Sequence, residues 1–160
     1  MRIVLAAIGR LKAGPERELS ARYLERAQAA CRAVGLTSVE IREFEESRAR
    51  RPEDRKAEEA QSIIALLAKG GRLVLLDERG KSRSSEDFAQ DIAAARDTSE
   101  TTYVVVIGGP DGADETLRQK ANSVLCFGAM TWPHQIVRVL ALEQIYRAVT
   151  ILSGHPYHRA

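Results

Sequence analysis

Cysteine is scarce in this chain, with only Cys31 and Cys126 present. Two thiols cannot make a disulfide framework, and each lies in an apolar, periodic segment, which points to a reduced, cytoplasmic protein. Long hydrophobic runs are missing as well. No stretch approaches the ~20 apolar residues that a membrane-spanning helix needs, so no membrane partner is expected. The opening Met1-Arg2-Ile3-Val4-Leu5 enters a strand-like run without the long apolar core or cleavage site of a signal peptide. Nor is there an excess of charge of one sign. The 24 basic residues nearly match 22 acidic ones, for a net charge of +2, so any binding of nucleic acid has to come from a local gathering of cations. Repeats, low-complexity tracts and linkers are absent, and residues 1–160 read as a single domain. An apolar fraction of 44% beside 29% charged residues excludes a disordered chain.

What is present alternates between two periodicities. Arg2 to Ile8 is short and apolar and stops at Gly9, which predicts a buried strand. Pro15 opens a helix to about Ala33, with Leu19, Tyr23, Leu24 and Ala27 at helical spacing and Gly35 as its end. Val39, Ile41 and Phe44 alternate with charged residues, as in a strand with one wet face. Glu45 to Arg55 reads as an exposed loop leading into a helix from Pro52 to about Ala68, whose apolar face is Ala60, Ile63, Ile64 and Leu67. The whole charge run from Glu43 to Glu59 reads as solvated surface without chemistry.

Further on, Leu73 to Leu76 is a buried strand and Asp77 to Ser84 a polar loop, with Ser84 or Ser85 capping the next helix. Tyr103 to Ile107 is another buried strand. A short helix near Asp114 to Lys120, a strand from Ser123 to Phe127 and a long helix from Pro133 to about Leu152 follow. Strands alternating with helices predict an α/β fold, a mostly parallel sheet with helices on both faces. Ligands bind such sheets beyond the C-terminal strand ends, here the loops after Leu76, Ile107 and Cys126.

Ile107-Gly108-Gly109-Pro110-Asp111-Gly112 places three glycines and a proline after a buried strand, where the backbone can turn sharply and let a ligand come close. A tight strand-to-helix turn explains it equally well. It is neither a Walker loop nor a dinucleotide fingerprint, because neither spacing is present. Phe127-Gly128-Ala129-Met130-Thr131-Trp132-Pro133-His134 is a semi-apolar loop able to hold a flat ligand or simply to cover a core. In the long helix that follows, apolar residues do not fit one stripe, and Arg138 and Arg147 point to nearly opposite sides. This predicts cover on two sides, by the sheet and by a second subunit, hence a homodimer. Gly154-His155-Pro156-Tyr157-His158-Arg159 gathers proton-transfer groups, a stacking ring and an anion binder. Two histidines without a thiolate or carboxylate make an incomplete metal site, so no metal is expected. Cys126 has no activating base in the sequence and reads as core, like Cys31.

These motifs together, with Ile8-Gly9-Arg10-Leu11-Lys12, Leu75-Leu76-Asp77-Glu78-Arg79-Gly80-Lys81 and Glu143-Gln144-Ile145-Tyr146-Arg147-Ala148, resemble the ribosomal large-subunit pseudouridine N3-methyltransferase family. That family is a single-domain branch of the SPOUT, or α/β-knot, methyltransferases, and the likeness spans essentially the whole chain. The resemblance implies a C-terminal trefoil knot, a homodimer and S-adenosylmethionine as methyl donor. The donor site it implies is Leu76, Gly108, Gly109, Phe127, Gly128, Ala129, Met130, Thr131 and Trp132. Trp132 stands where a smaller apolar residue or Phe is expected, and Ala160 follows the tail motif.

The implied substrate is pseudouridine 1915 of 23S rRNA within the assembled ribosome, methylated at N3. His155, Tyr157, His158 and Arg159 are then the residues that position the base or move its proton, acting across the dimer. Arg10, Lys12, Arg79, Lys81, Arg138 and Arg147 are candidates for RNA contact. Two rivals carry different chemistry: an enzyme using a nucleotide cofactor on a small substrate, and a ribosome-binding module without catalysis.

Overall fold

The computed structural model describes residues 1–67 and 70–159. Five strands, β1 (Arg2–Ile8), β2 (Ser38–Phe44), β3 (Gly71–Lys81), β4 (Thr102–Ile107) and β5 (Ser123–Leu125), form one parallel sheet in the order β2-β1-β4-β3-β5. Parallel neighbours need crossovers, supplied by α1 (Pro15–Ala30), α2 (Pro52–Ile64), α3 (Ser85–Asp97) and α4 (Glu115–Lys120), while α5 (His134–Ser153) follows the last strand. The apolar strands are explained by two covered faces. Along β1, Ile3, Leu5 and Ala7 enter the core under α1, α3 and α5, while Val4, Ala6 and Ile8 enter the core under α2 and α4.

Several predicted boundaries move. The helix from Pro15 closes at Ala30, and Cys31–Val34 tighten into a 3-10 turn ended by Gly35 in the left-handed conformation at φ 75°. The predicted helix end at Ala68 lies outside the described residues; α2 itself closes at Ile64. The predicted polar loop after Leu76 is largely strand. β3 continues to Lys81 through a register shift, and Lys81 pairs with Leu125. β5 stops at Leu125, short of Phe127.

The apolar girth of α5 finds its cover within the chain, because α1 and α3 flank it while the sheet lies beneath. The inference from that girth to a second subunit therefore loses its force. Arg138 is no surface cation either. It is 5% exposed, and its guanidinium donates to the Ile8 carbonyl at 3.0 Å, to the Gly9 carbonyl and to the Glu43 carboxylate. The charge run is also less uniformly solvated than its composition suggests, since Glu59 is 7% exposed.

Candidate functional site

A cleft of about 280 Å³ opens beyond the C-terminal ends of β4 and β5, beside the register shift in β3. The sheet places it there: Leu76, Ile107 and Leu125 come level in register, the chain departs into a loop after Ile107 and after Leu125, and β3 shifts register just past Leu76. Of the nine residues that the resemblance implies for a donor, Leu76, Gly108, Gly109, Phe127, Gly128, Met130, Thr131 and Trp132 line it. Ala129 is exposed and is not among the lining residues. Pattern reading missed Asp77, Glu78, Ala113 and Val137, which also line it, whereas His134 closes the loop already singled out. Asp77 and Glu78 directly follow Leu76, Ala113 follows the glycine turn and Val137 lies in the first turn of α5, so adjacency to the ligand loops was their only signal.

The glycine turn is built for close approach. Gly109 and Gly112 bridge across it, with the Gly112 amide donating to the Gly109 carbonyl at 3.0 Å. Gly112 (φ +84°) and Gly128 (φ +100°) occupy the left-handed region, and a Cβ at either would meet nothing within 4 Å among the described residues. Across the cleft, the Trp132 indole N–H donates to the Phe127 carbonyl at 3.2 Å and closes residues 127–132 into a ring.

Helix α2 supports the turn from behind. Arg55 Nε donates to Asp111 at 2.7 Å and holds that carboxyl below its usual range. A Cβ at Gly109 would lie 2.7 Å from Glu59 Oε2, so the missing side chain makes room for this carboxyl. Burial pushes the Glu59 carboxyl up, against the hydrogen bond it accepts from the Ser47 amide. On the β3 side, burial raises Asp77, but its bonds from Arg118 at 2.8 Å and from the Arg79 amide at 2.9 Å bring it below the usual range.

A second cavity of about 380 Å³ shares Leu76, Phe127 and Trp132 with the cleft and reaches Ser85, Phe88 and Gln144. Together the two spaces approach the size of a nucleoside-bearing ligand site. Apolar walls and exposed backbone suit a flat heterocycle, and the Glu78 carboxyl suits a positive charge beside it, since Asp77 is already paired with Arg118.

The tail residues lie elsewhere in the same chain. The Tyr157 ring lies against Tyr146, tilted by 54° with centroids 4.7 Å apart, beneath the Arg147 guanidinium, and its hydroxyl donates to Glu143 at 3.0 Å. His158 joins Glu86 at 2.6 Å and Arg147 at 3.3 Å. The His155 ring accepts the Tyr157 amide at 3.1 Å, and Arg159 is exposed. Among the described residues, none of these four lines either cavity. Burial, with bonds to Tyr23 and Glu143, pushes the Tyr157 phenol up, so it stays protonated at neutral pH. Arg147, a predicted RNA contact, is half-buried and committed to Glu143 at 2.9 Å. No group of three or more potential metal ligands occurs among the described residues.

Known proteins resemble this chain along its length. A family model described as "Predicted SPOUT methyltransferase" matches residues 1–158. A protein of Beijerinckia indica is 56% identical over 160 residues, covering all of both chains. One of Sinorhizobium medicae is also 56% identical over the full length of both. One of Methylorubrum extorquens is 55% identical, with 99% of this chain and 97% of the relative aligned. All three bear the name Ribosomal RNA large subunit methyltransferase H.

Proposed function

Because the chain belongs to the SPOUT methyltransferase family, we propose that it is an S-adenosylmethionine-dependent methyltransferase of large-subunit rRNA, acting on N3 of a pseudouridine in the assembled ribosome. The observation that carries this reading is the convergence of Leu76, the glycine turn and residues 127–132 on one cleft at the strand ends. The names of the full-length relatives supply the substrate class. The cleft fits the donor: Phe127 and Trp132 suit an adenine ring, the open backbone at Gly128 admits a close approach, and Glu78 suits positive charge. S-adenosylmethionine supplies an electrophilic methyl group on a sulfonium.

The chain must hold the acceptor nitrogen about 3 Å from that methyl and in line with the departing sulfur. It must also take the proton that N3 carries at neutral pH. Cationic donors on the uracil carbonyls favour the anion, and exposed Arg159 is suited to that task. Tyr157, held protonated, is suited to positioning rather than to accepting the proton. His155 and His158 are the remaining candidates for proton transfer.

A homodimer is part of this reading, with the tail of one subunit completing the donor cleft of the other. Its support is that the tail docks on its own α5 and away from its own cleft. Met130 and Trp132, 76% and 41% exposed, also leave an apolar rim on the donor loop. The knot implied by the family belongs to the reading too. Its support is the family itself, whose model matches residues 1–158. The expected setting is cytoplasmic, and among the described residues no helix is long and apolar enough to cross a membrane.

The test is labelled methyl transfer to 70S particles, 50S particles and naked 23S rRNA, with mass spectrometry of the product nucleoside. A single methyl at N3 of a pseudouridine, made best on assembled particles, is the expected result. No transfer to any of the three, or a preference for naked RNA, refutes it. Deleting Tyr157 to Ala160 should abolish transfer yet leave a folded dimer, and full turnover by that truncation would sink the role of the tail.

A further inference from the structure

Residues 45–51 connect β2 to α2 and carry Arg48, Arg50 and Arg51, all exposed and, among the described residues, in no ion pair. Their acidic neighbours are mostly engaged elsewhere. Glu43 accepts from Arg138 and from the Leu11 amide, and Glu45 pairs with Arg10 at 3.3 Å. Glu58 accepts from the Ser47 hydroxyl and Glu59 from the Ser47 amide. Glu46, exposed within the loop, is unpaired among the described residues, and Glu53 and Asp54 lie in the first turn of α2, where the positive end of the helix dipole offsets them. Within the loop, three exposed guanidinium groups therefore outnumber the one unengaged carboxylate.

The loop is braced. Ser47 Oγ accepts from the Ala49 amide at 3.1 Å, and Arg55 Nη1 donates to the carbonyls of Ala49 at 3.1 Å and Arg50 at 3.2 Å. Cations on a backbone already ordered lose less freedom when they bind. Of the two α2 side chains that hold this loop, Arg55 also holds the glycine turn through Asp111, and Glu59 occupies the space beside Gly109. The arginines thus stand on a support shared with the cleft.

We propose that residues 45–51 are the phosphate-gripping loop for the rRNA substrate, with Arg48, Arg50 and Arg51 meeting backbone phosphates while α2 keeps that grip in register with the glycine turn. This rests on the reading of the chain as an rRNA methyltransferase. The guanidinium fork matches phosphate in two-point contact, and a polyanion engages three adjacent forks at once.

The experiment compares the wild-type protein with a triple variant, Arg48→Ala, Arg50→Ala and Arg51→Ala. Binding to 70S particles is measured across a salt series, together with thermal melting and calorimetric binding of S-adenosylhomocysteine. All three positions are exposed, so melting and nucleoside binding should match the wild type. Affinity for the particles should fall at least about tenfold, and the log–log salt slope should flatten by roughly 2 to 3, the contribution of three phosphate contacts. Ribosome binding by the wild type that the variant equals in strength and slope overturns the proposal alone. Failure of the wild type to bind any ribosomal particle overturns the rRNA reading and the loop proposal with it.

Discussion

Replacing Gly80 by alanine tests the junction between β3 and β5 beside the cleft. A Cβ there would stand 2.3 Å from the Leu125 carbonyl carbon, 2.6 Å from its oxygen and 2.7 Å from its Cα. All three are backbone atoms, so no rotamer change relieves the clash. Ordinary contact begins at 3.4 Å, and the two segments must separate by about 1 Å. The adjoining bond from the Cys126 amide to the Lys81 carbonyl, 3.2 Å long, goes with that movement. Overpacking of about 1–3 kcal/mol and a lost hydrogen bond of about 1 kcal/mol sum to roughly 2–4 kcal/mol. For a chain of this length each kcal/mol lowers Tm by about 2–4 °C, so the expected drop is roughly 4–16 °C by scanning calorimetry.

Leu76 and residues 125–128 line the cleft from these two segments, so affinity for S-adenosylhomocysteine should fall with Tm. Gly112→Ala is the control. Its space is open, and only its φ of +84° is strained, at about 1–2 kcal/mol. A Gly80→Ala protein that melts within about 1 °C of the wild type and binds the nucleoside equally well would refute the reasoning, because a contact that mattered could not shift so cheaply.

Arg138→Met strands the Ile8 and Gly9 carbonyls and the Glu43 carboxylate, and should cost about 2–4 kcal/mol in urea unfolding. Its salt slope for ribosome binding should stay that of the wild type, since a buried guanidinium meets no phosphate. Glu59 binds its proton more tightly folded than unfolded, so its contribution to stability falls as pH rises from the ordinary carboxylate value through the raised one. In Glu59→Gln that part of the pH dependence should vanish, and an unchanged difference between the two proteins from acid to neutral pH would contradict the burial argument. Trp132→Phe removes the N–H that closes residues 127–132, at about 0.5–1 kcal/mol, and should weaken nucleoside binding about two- to fivefold by calorimetry. Equal binding would show that the ring closes without it.

Much of the site was legible because its signals are local. A glycine that must turn, a proline that opens a helix and an apolar run buried on both faces each state their requirement within a few residues. The positions after Leu76, Ile107 and Cys126 followed from strand alternation alone, and the structure brings them to one cleft, the first as continuing strand rather than loop. Arg138 and Glu59 were illegible for the opposite reason. Their sequence neighbourhoods are polar, and only packing against β1 and Gly109 buries them. The extension of β3 was hidden likewise, because Asp77 to Lys81 reads as a polar loop until Leu125 supplies a strand partner.

By itself, then, the sequence determined the alternation of strands and helices, the glycine turn, the semi-apolar loop before the last helix and the chemically loaded tail, through backbone preference and hydrophobic period. Tertiary structure alone decided which charges are spent inside the fold and which face out. It sends Arg138 inward to β1 and leaves Arg48, Arg50 and Arg51 at the surface. It also seats Tyr157 and His158 on α5 and α3 rather than in the cleft. The physical reason is that a charge pairs with whatever the fold brings within about 3 Å, and those partners are separated by up to 130 residues of chain.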